Sequence, residues 1–187
     1  SPHENQNYRP ITLTNSCYKL FMKIITERFS KILEEEEIIS DLQSGARPRH
    51  TTHYRITHLL AAIQKAQVQK YPIHFFFLDL LKAYDTVELW MIQEGLENYG
   101  FGRDVVELIT NLYLENTTKI ITPAGLTESI TVTRGIRQGC PLSPCLFILL
   151  MNPLLDWINE HKDANLSAYV DDLCLWAYDE DKFKEKA

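Results

Sequence analysis

The chain of 187 residues contains no apolar run approaching the roughly 18 residues of a membrane-spanning helix. Ser1 to Tyr8 lack the basic start and apolar middle of a leader. Neither a span nor a signal peptide is therefore expected, and the chain reads as intracellular. Cysteine is sparse: Cys17, Cys140, Cys145 and Cys174 lack the paired short spacings of a zinc site and are too few for a disulfide scaffold. Reduced, buried thiols are the expected state. Positive charge is also short, 19 Lys and Arg against 25 Asp and Glu for a net charge of −6. That is the wrong sign for a surface that grips nucleic acid by phosphate neutralisation alone. Part of the acidity is local, in Glu34 to Glu37 and Asp179 to Asp181, runs that normally face solvent. Internal repeats and low-complexity linkers are lacking too, so composition marks no domain boundary. What is present is a 45% hydrophobic chain, long enough for one well-buried core.

Apolar residues Leu20, Phe21, Ile24, Ile25, Phe29, Ile32 and Leu33 recur at helical spacing and predict a helix over Tyr18 to Leu33. A second is predicted over Thr52 to Gln69. The aromatic run Ile73 to Leu78 follows Pro72, fits a buried strand, and ends on Asp79. Helices over Glu88 to Asn98 and Asp104 to Tyr113 are separated by Gly100-Phe101-Gly102. Lys119 to Thr122 and Ile130 to Thr133 are β-type segments flanking the turn Pro123-Ala124-Gly125. A buried helix is expected from Cys145 to Ile158, then a hairpin of Leu166 to Val170 and Leu173 to Tyr178 joined at Asp171-Asp172. The order predicts an α+β fold, a small antiparallel sheet with helices packed on one face.

Three carboxylates attach to hydrophobic strands: Asp79, Asp171 and Asp172. Adjacent aspartates repel, and burying an ionised carboxylate is costly unless a cation compensates. A divalent metal is the simplest compensation, since Mg²⁺ takes carboxylate oxygens together with water and phosphate. The alternative uses are a hairpin turn for Asp171-Asp172 and a helix N-cap for Asp79.

The segments Phe77 to Val87, Arg137 to Pro144 and Ala168 to Asp172 resemble, in order, the three central palm motifs of reverse transcriptases. Arg137 to Pro144, with Gly135-Ile136 before it, is similar to the form of non-LTR retrotransposons, as are Asn7 to Leu13 and Gln43-Ser44-Gly45. The resemblance implies a right-hand polymerase palm over about 73–187, a fingers-side helical region over about 1–72, and no thumb within 1–187. It also implies RNA-directed DNA polymerase chemistry with two Mg²⁺ ions, for which Mn²⁺ substitutes. Implied partners are an RNA template, a DNA primer, a dNTP and the remaining parts of a larger polyprotein, a thumb and an endonuclease among them. A nuclear location also follows from it, while the lack of a long apolar run leads to the expectation of no membrane association.

The resemblance makes Asp79 and Asp171 the main metal ligands, with Asp172 assisting. Tyr84 takes the place of the aromatic residue beneath the incoming sugar, where a ring excludes the 2′-hydroxyl. Gln138 and Gly139 line the nucleotide pocket, and Tyr169, Pro141 and Ser143 support their motifs. Arg9, Arg47 and Arg49 are candidates for the triphosphate, since guanidinium forks match phosphate oxygens. Each also has a surface or structural reading. The chain departs from its relatives here, with Gly45-Ala46-Arg47-Pro48-Arg49 in place of an aromatic residue after the glycine. Lys82 and Asp85 form either a charge pair or solvent-facing helix-start residues. His50, His53, His58 and His74 have no metal-ligand spacing. Alternative readings of the whole are a group II intron maturase or telomerase relative, and a degenerate or domesticated nucleic-acid-binding module without activity.

Overall fold

The computed structural model describes residues 11–114, 116–160 and 165–178. Two compact units interleave along the chain: residues up to Met22 with Lys82–Ser143, and Lys23–Leu81 with the residues from Pro144 onward. The helix α1 (Ser16–Glu35) starts where the Asn15 side-chain carbonyl accepts the Cys17 N–H at 2.8 Å, satisfying one of the donors that every helix start leaves open. It buries Met22, Phe29 and Leu33.

In the unit holding the sheet, α2 (Thr52–Gln69) precedes β1 (Ile73–Asp79), and α5 (Ser143–Glu160) precedes β6 (Asn165–Tyr169) and β7 (Asp172–Tyr178). The strands form an antiparallel sheet in the order β1-β7-β6. Alternation along β7 sends Leu173 and Leu175 to one face and Cys174 and Trp176 to the other. On the first face, Leu155, Met151 and Ile158 of α5 pack against Leu166, Ala168, Leu173 and Leu175. On the second, Leu59 and Ala62 of α2 pack against Cys174 and Trp176 with Ile73 and Phe75. The α+β expectation is met with one addition: α2 also covers part of the face opposite α5. The cover on both faces stops short of the C-terminal half of β1: Phe77, opposite Cys174 on the α2 face, is 75% exposed, and Phe76, opposite Leu175 on the α5 face, is 63% exposed. β1 is thus an edge strand, open toward Asp79, and not the buried strand its aromatic run predicts.

The other unit contains a 3₁₀ turn (Ala83–Thr86), then α3 (Leu89–Asn98) and α4 (Arg103–Asn111), which bury Ile92, Leu96, Val106 and Ile109. Beyond them lies a nested β-ribbon. β3 (Ile121–Thr122) pairs with β4 (Gly125–Leu126), and β2 (Asn116–Thr118) pairs with β5 (Ile130–Val132). Of the two β-type segments expected on either side of the turn, Ile130 to Val132 thus pairs with Asn116 to Thr118, while Ile121-Thr122 pairs with Gly125-Leu126. Thr127 sets this offset, its N–H bonding the Ile120 carbonyl at 3.0 Å and its hydroxyl accepting the Ile120 N–H at 2.9 Å.

Candidate active site

β1 ends on Asp79, β7 begins on Asp172, and the register sets these residues directly opposite one another. Tyr169, the last residue of β6, is opposite Asp172 on its other side. Such pairs share a face, with Cβ atoms about 4.5–5.5 Å apart. Asp171 is the second residue of the two-residue Val170-Asp171 connection. The three predicted carboxylates are therefore brought together at one end of one sheet.

Asp79 and Asp172 are exposed and Asp171 is half-buried. Burial is not what penalises this cluster, contrary to the sequence argument, because the open end of β1 leaves it wet. The penalty is repulsion, since like charges directly opposite in a sheet are destabilising. The donors are all carboxylate oxygens, the ligand type Mg²⁺ and Mn²⁺ prefer. Among the described residues, no group of three or more His, Cys, Asp and Glu side chains is arranged to hold an ion by itself. Mg²⁺ commonly uses one or two protein carboxylates and completes its shell with water and phosphate. The exposed pair Asp79 and Asp172 fits that habit.

The turn that carries Asp171 is supported from within the same unit. Val170 has φ of 58°, left-handed geometry that a β-branched residue rarely adopts. Gln43, fully buried, accepts the Val170 N–H at 2.8 Å through Oε1 and donates to the Val170 carbonyl at 3.1 Å through Nε2. Its backbone neighbours bridge to β6: the Ala168 N–H reaches the Leu42 carbonyl at 2.8 Å and the Ser44 N–H reaches the Ala168 carbonyl at 3.0 Å. Gly45 lies so close beneath the turn that a Cβ there meets Val170 N and Cγ2 and comes within 3.0 Å of the Tyr169 carbonyl carbon. Sequence reasoning marks Gln43-Ser44-Gly45 as a motif and leaves it without a role.

Two arginines and an asparagine hold this segment. Arg55, 5% exposed, donates through Nε to Ser44 Oγ at 2.6 Å and through Nη2 to the Asp41 carbonyl. Burial pulls its guanidinium below the ordinary arginine range. Arg47 pairs bidentately with Glu34, at 2.8 and 2.9 Å, and donates through Nη1 to the Ser40 and Gln43 carbonyls. Its side chain is 7% exposed, and its donors serve the loop. The Arg47 hydrogen bond holds the Glu34 carboxyl below its ordinary value. Asn152 of α5 accepts the Ser40 N–H at 2.7 Å and donates to the Ile38 carbonyl at 2.9 Å. Arg49 is exposed, and Arg9 lies outside the described residues. The reading of Arg55 as one more polar position on α2 is what sequence alone permits; only the fold shows it buried.

In the other unit, Gln138 donates through Nε2 to Asp85 Oδ1 at 3.1 Å, so Asp85 has Gln138 as a partner. The Ile136 N–H reaches the Tyr84 carbonyl at 2.8 Å, and the Thr12 N–H reaches the Gln138 carbonyl at 2.9 Å. Gly139, at φ of 108°, is approached closely by the Thr12 carbonyl oxygen, 2.9 Å from where a Cβ would stand. Tyr84 is half-buried, as is Pro141. Arg137 has its guanidinium over the rings of Tyr18 and Tyr113, at 5.1 and 5.4 Å from the centroids. It also donates to Tyr18 Oη and to the Leu112 carbonyl. Burial, ahead of the neighbouring Cys140, raises the Tyr18 phenol to about 12. Ser143, fully buried, shares a hydrogen bond of 3.3 Å with Tyr113 Oη.

The family pattern described as reverse transcriptase (RNA-dependent DNA polymerase) matches residues 1–187. The chain belongs to the reverse transcriptase family. Among curated relatives of this reverse transcriptase domain is the transposon TX1 149 kDa protein of Xenopus laevis, 30% identical over 184 residues, 93% of the chain and 14% of that protein. Another is the Retrovirus-related Pol polyprotein from the type-1 retrotransposable element R2 of Popillia japonica, 30% identical over 180 residues. That match covers 90% of the chain and 25% of the relative. The domain thus groups with the non-LTR retrotransposon type its motifs resemble and spans a quarter or less of the length of these two relatives. Among solved structures, a telomerase from Candida tropicalis superimposes with a TM-score of 0.61 at 14% identity, over 90% of the chain and 30% of the telomerase. At that identity the likeness concerns the fold, a right-hand polymerase. No helix among the described residues is long and apolar enough to cross a membrane.

Proposed function

We propose that this reverse transcriptase domain carries the RNA-directed DNA polymerase centre of a non-LTR retrotransposon polyprotein, adding dNTPs to a primer 3′ end on an RNA template. The observation that carries the reading is the pairing of Asp79 with Asp172, with Asp171 beside them, at the open end of the sheet. On the resemblance, Asp79 and Asp171 would be the main ligands of two Mg²⁺ ions, or Mn²⁺ in their place, and Asp172, opposite Asp79, would assist. When bound, such ions activate the attacking hydroxyl and neutralise charge on the leaving oxygen of an in-line phosphoryl transfer. The chain's own part is to fix these carboxylates on a turn whose backbone is held, so that reorganisation during reaction is small.

On the resemblance, Tyr84 selects deoxynucleotides, Gln138 and Gly139 contribute to the nucleotide pocket, and Arg9 and Arg49 reach the triphosphate. Arg47 supports the loop through Glu34. On the same resemblance the palm spans about 73–187 with some fingers elements and the fingers-side region about 1–72, and the regions that supply thumb, endonuclease and most of the basic duplex track belong to the rest of the polyprotein. Location in the nucleus follows from the same reading. Primer extension by the polyprotein with Asp171→Asn is the test. The expected loss is several orders of magnitude in rate, and synthesis at the unsubstituted rate removes the mechanism.

A further inference from the structure

We infer that Gln43 is the positioning residue of the acidic turn: its amide locks Val170 in left-handed geometry and so fixes where the Asp171 and Asp172 carboxylates stand. This rests on reading the turn as a metal-binding one. The β6–β7 connection has only two residues, Val170 and Asp171. Left-handed φ at the first of them suits glycine or asparagine, and valine holds it only where its surroundings impose it.

Gln43 imposes it. One side chain serves both backbone polar groups of Val170, accepting from its N–H at 2.8 Å and donating to its carbonyl at 3.1 Å. The same Oε1 accepts the Gly45 N–H at 2.7 Å, which fixes the side chain relative to its own loop. A primary amide donates and accepts through two atoms of one planar group whatever the pH. Ionised glutamate lacks the donor, and asparagine is one methylene shorter.

The anchor is itself immobilised. The loop that presents Gln43 is bonded to Arg55 at Asp41 and Ser44, to Arg47 at Ser40 and Gln43, and to Asn152 at Ile38 and Ser40. A rotation of the turn must therefore break a hydrogen bond at Gln43 or press Val170 into Gly45. The carboxylates are thereby aimed by a residue 127 positions away in sequence from Val170.

The experiment titrates Mn²⁺ in the presence of dATP into the whole chain, read by calorimetry and by the Mn²⁺ paramagnetic resonance spectrum. The variants are Gln43→Ala, Gln43→Met, Asp171→Asn, and Gln43→Ala combined with Val170→Gly. Circular dichroism verifies the fold of each. Gln43→Ala is expected to weaken Mn²⁺ binding about 10–100-fold, the usual effect of removing a residue that orients ligands, and to broaden the spectrum. Glycine occupies the left-handed region freely, so adding Val170→Gly is expected to restore most of the affinity, which a merely packing role for Gln43 would not allow.

Should Gln43→Ala fail to fold, Gln43→Met carries the test, because it keeps the side-chain length and adds no charge while losing both bonds to Val170. Its expected affinity is close to that of Gln43→Ala, whereas a merely packing role predicts unchanged binding. Unchanged binding in the Gln43 variants, with binding lost in Asp171→Asn, overturns the positioning role and leaves the metal reading standing. Loss in Gln43→Ala that Val170→Gly does not relieve also overturns it. An unsubstituted chain that binds no Mn²⁺, or binds it as well with Asp171→Asn, removes the metal reading and this inference with it.

Discussion

Replacing Asp79 with Asn should stabilise the metal-free protein, and adding Mn²⁺ should reverse the order. The register places Asp79 opposite Asp172, and both are exposed, so their repulsion acts through a nearly aqueous dielectric. Two unit charges about 5 Å apart in water repel by about 0.8 kcal/mol. At 0.1 M salt the screening length is about 10 Å, which leaves roughly 0.5 kcal/mol. That value lies within the range of about 0.2–1 kcal/mol for cross-strand pairs. For a chain of this size, 1 kcal/mol moves the melting temperature by about 2–4 °C, so the expected rise is about 1–2 °C at 0.1 M salt.

Thermal unfolding followed by circular dichroism in EDTA, at two salt concentrations, measures this rise. The gain of Asp79→Asn over the unsubstituted protein should shrink at 1 M salt, where the screening length falls to about 3 Å. With Mn²⁺ and dNTP present, mass action stabilises the form that binds them. The unsubstituted protein should then melt higher than Asp79→Asn. A lower melting temperature for Asp79→Asn in EDTA, or a difference indifferent to both salt and Mn²⁺, refutes the reasoning, because it means that Asp79 is held by partners other than its opposing charge.

Two further outcomes follow from the loop beneath the turn. Gly45→Ala is expected to lose about 2–3 kcal/mol in urea unfolding, toward the upper end for overpacking because the clash is with Val170 backbone, whereas Gly102→Ala, with open space around it, should lose less than about 1 kcal/mol. Glu34→Gln leaves the Arg47 guanidinium without its counter-charge and should cost up to about 3 kcal/mol at neutral pH, the lower end for a broken buried pair because Glu34 remains 25% exposed and Arg47 keeps its bonds to the Ser40 and Gln43 carbonyls. The sign of its pH dependence follows from the lowered Glu34 value: stability is present above the ordinary 4.5 and lost as pH falls through the depressed value. Urea midpoints from pH 7 to pH 3 should therefore converge for the two proteins.

The helices and strands were legible because their periodicities are strong. α2 begins and ends at the predicted Thr52 and Gln69, and β1 differs from its prediction by one residue. Ordering the three palm motifs identified the family, and the carboxylates Asp79, Asp171 and Asp172 could be named from it. Their exposure could not, because an aromatic run such as Phe75-Phe76-Phe77 reads as buried on both faces while nothing in it reports that the helices on the two faces leave Phe76 and Phe77 uncovered. The thiols divide in the same way: Cys140, Cys145 and Cys174 are buried as expected, but Cys17 is exposed near the start of α1. Charge was no guide to Arg47 and Arg55. A phosphate-seeking arginine and one that ties a loop together have the same letter and the same surroundings in sequence, and only a partner such as Glu34 or Ser44 tells them apart.

The pattern at the turn explains why two short motifs so far apart belong to one signature. A two-residue connection with left-handed φ at its first position ordinarily selects glycine, which holds that geometry without outside support. Valine holds it only at the cost of backbone strain, so its turn must be aimed from outside. Gln43 supplies the aim through both polar groups of Val170, and Gly45 supplies the room, since any side chain there meets the turn. Gln43-Ser44-Gly45 and Tyr169-Val170-Asp171-Asp172 are therefore constrained together, through the two bonds of Gln43 to Val170 and the close approach of Gly45 to the turn.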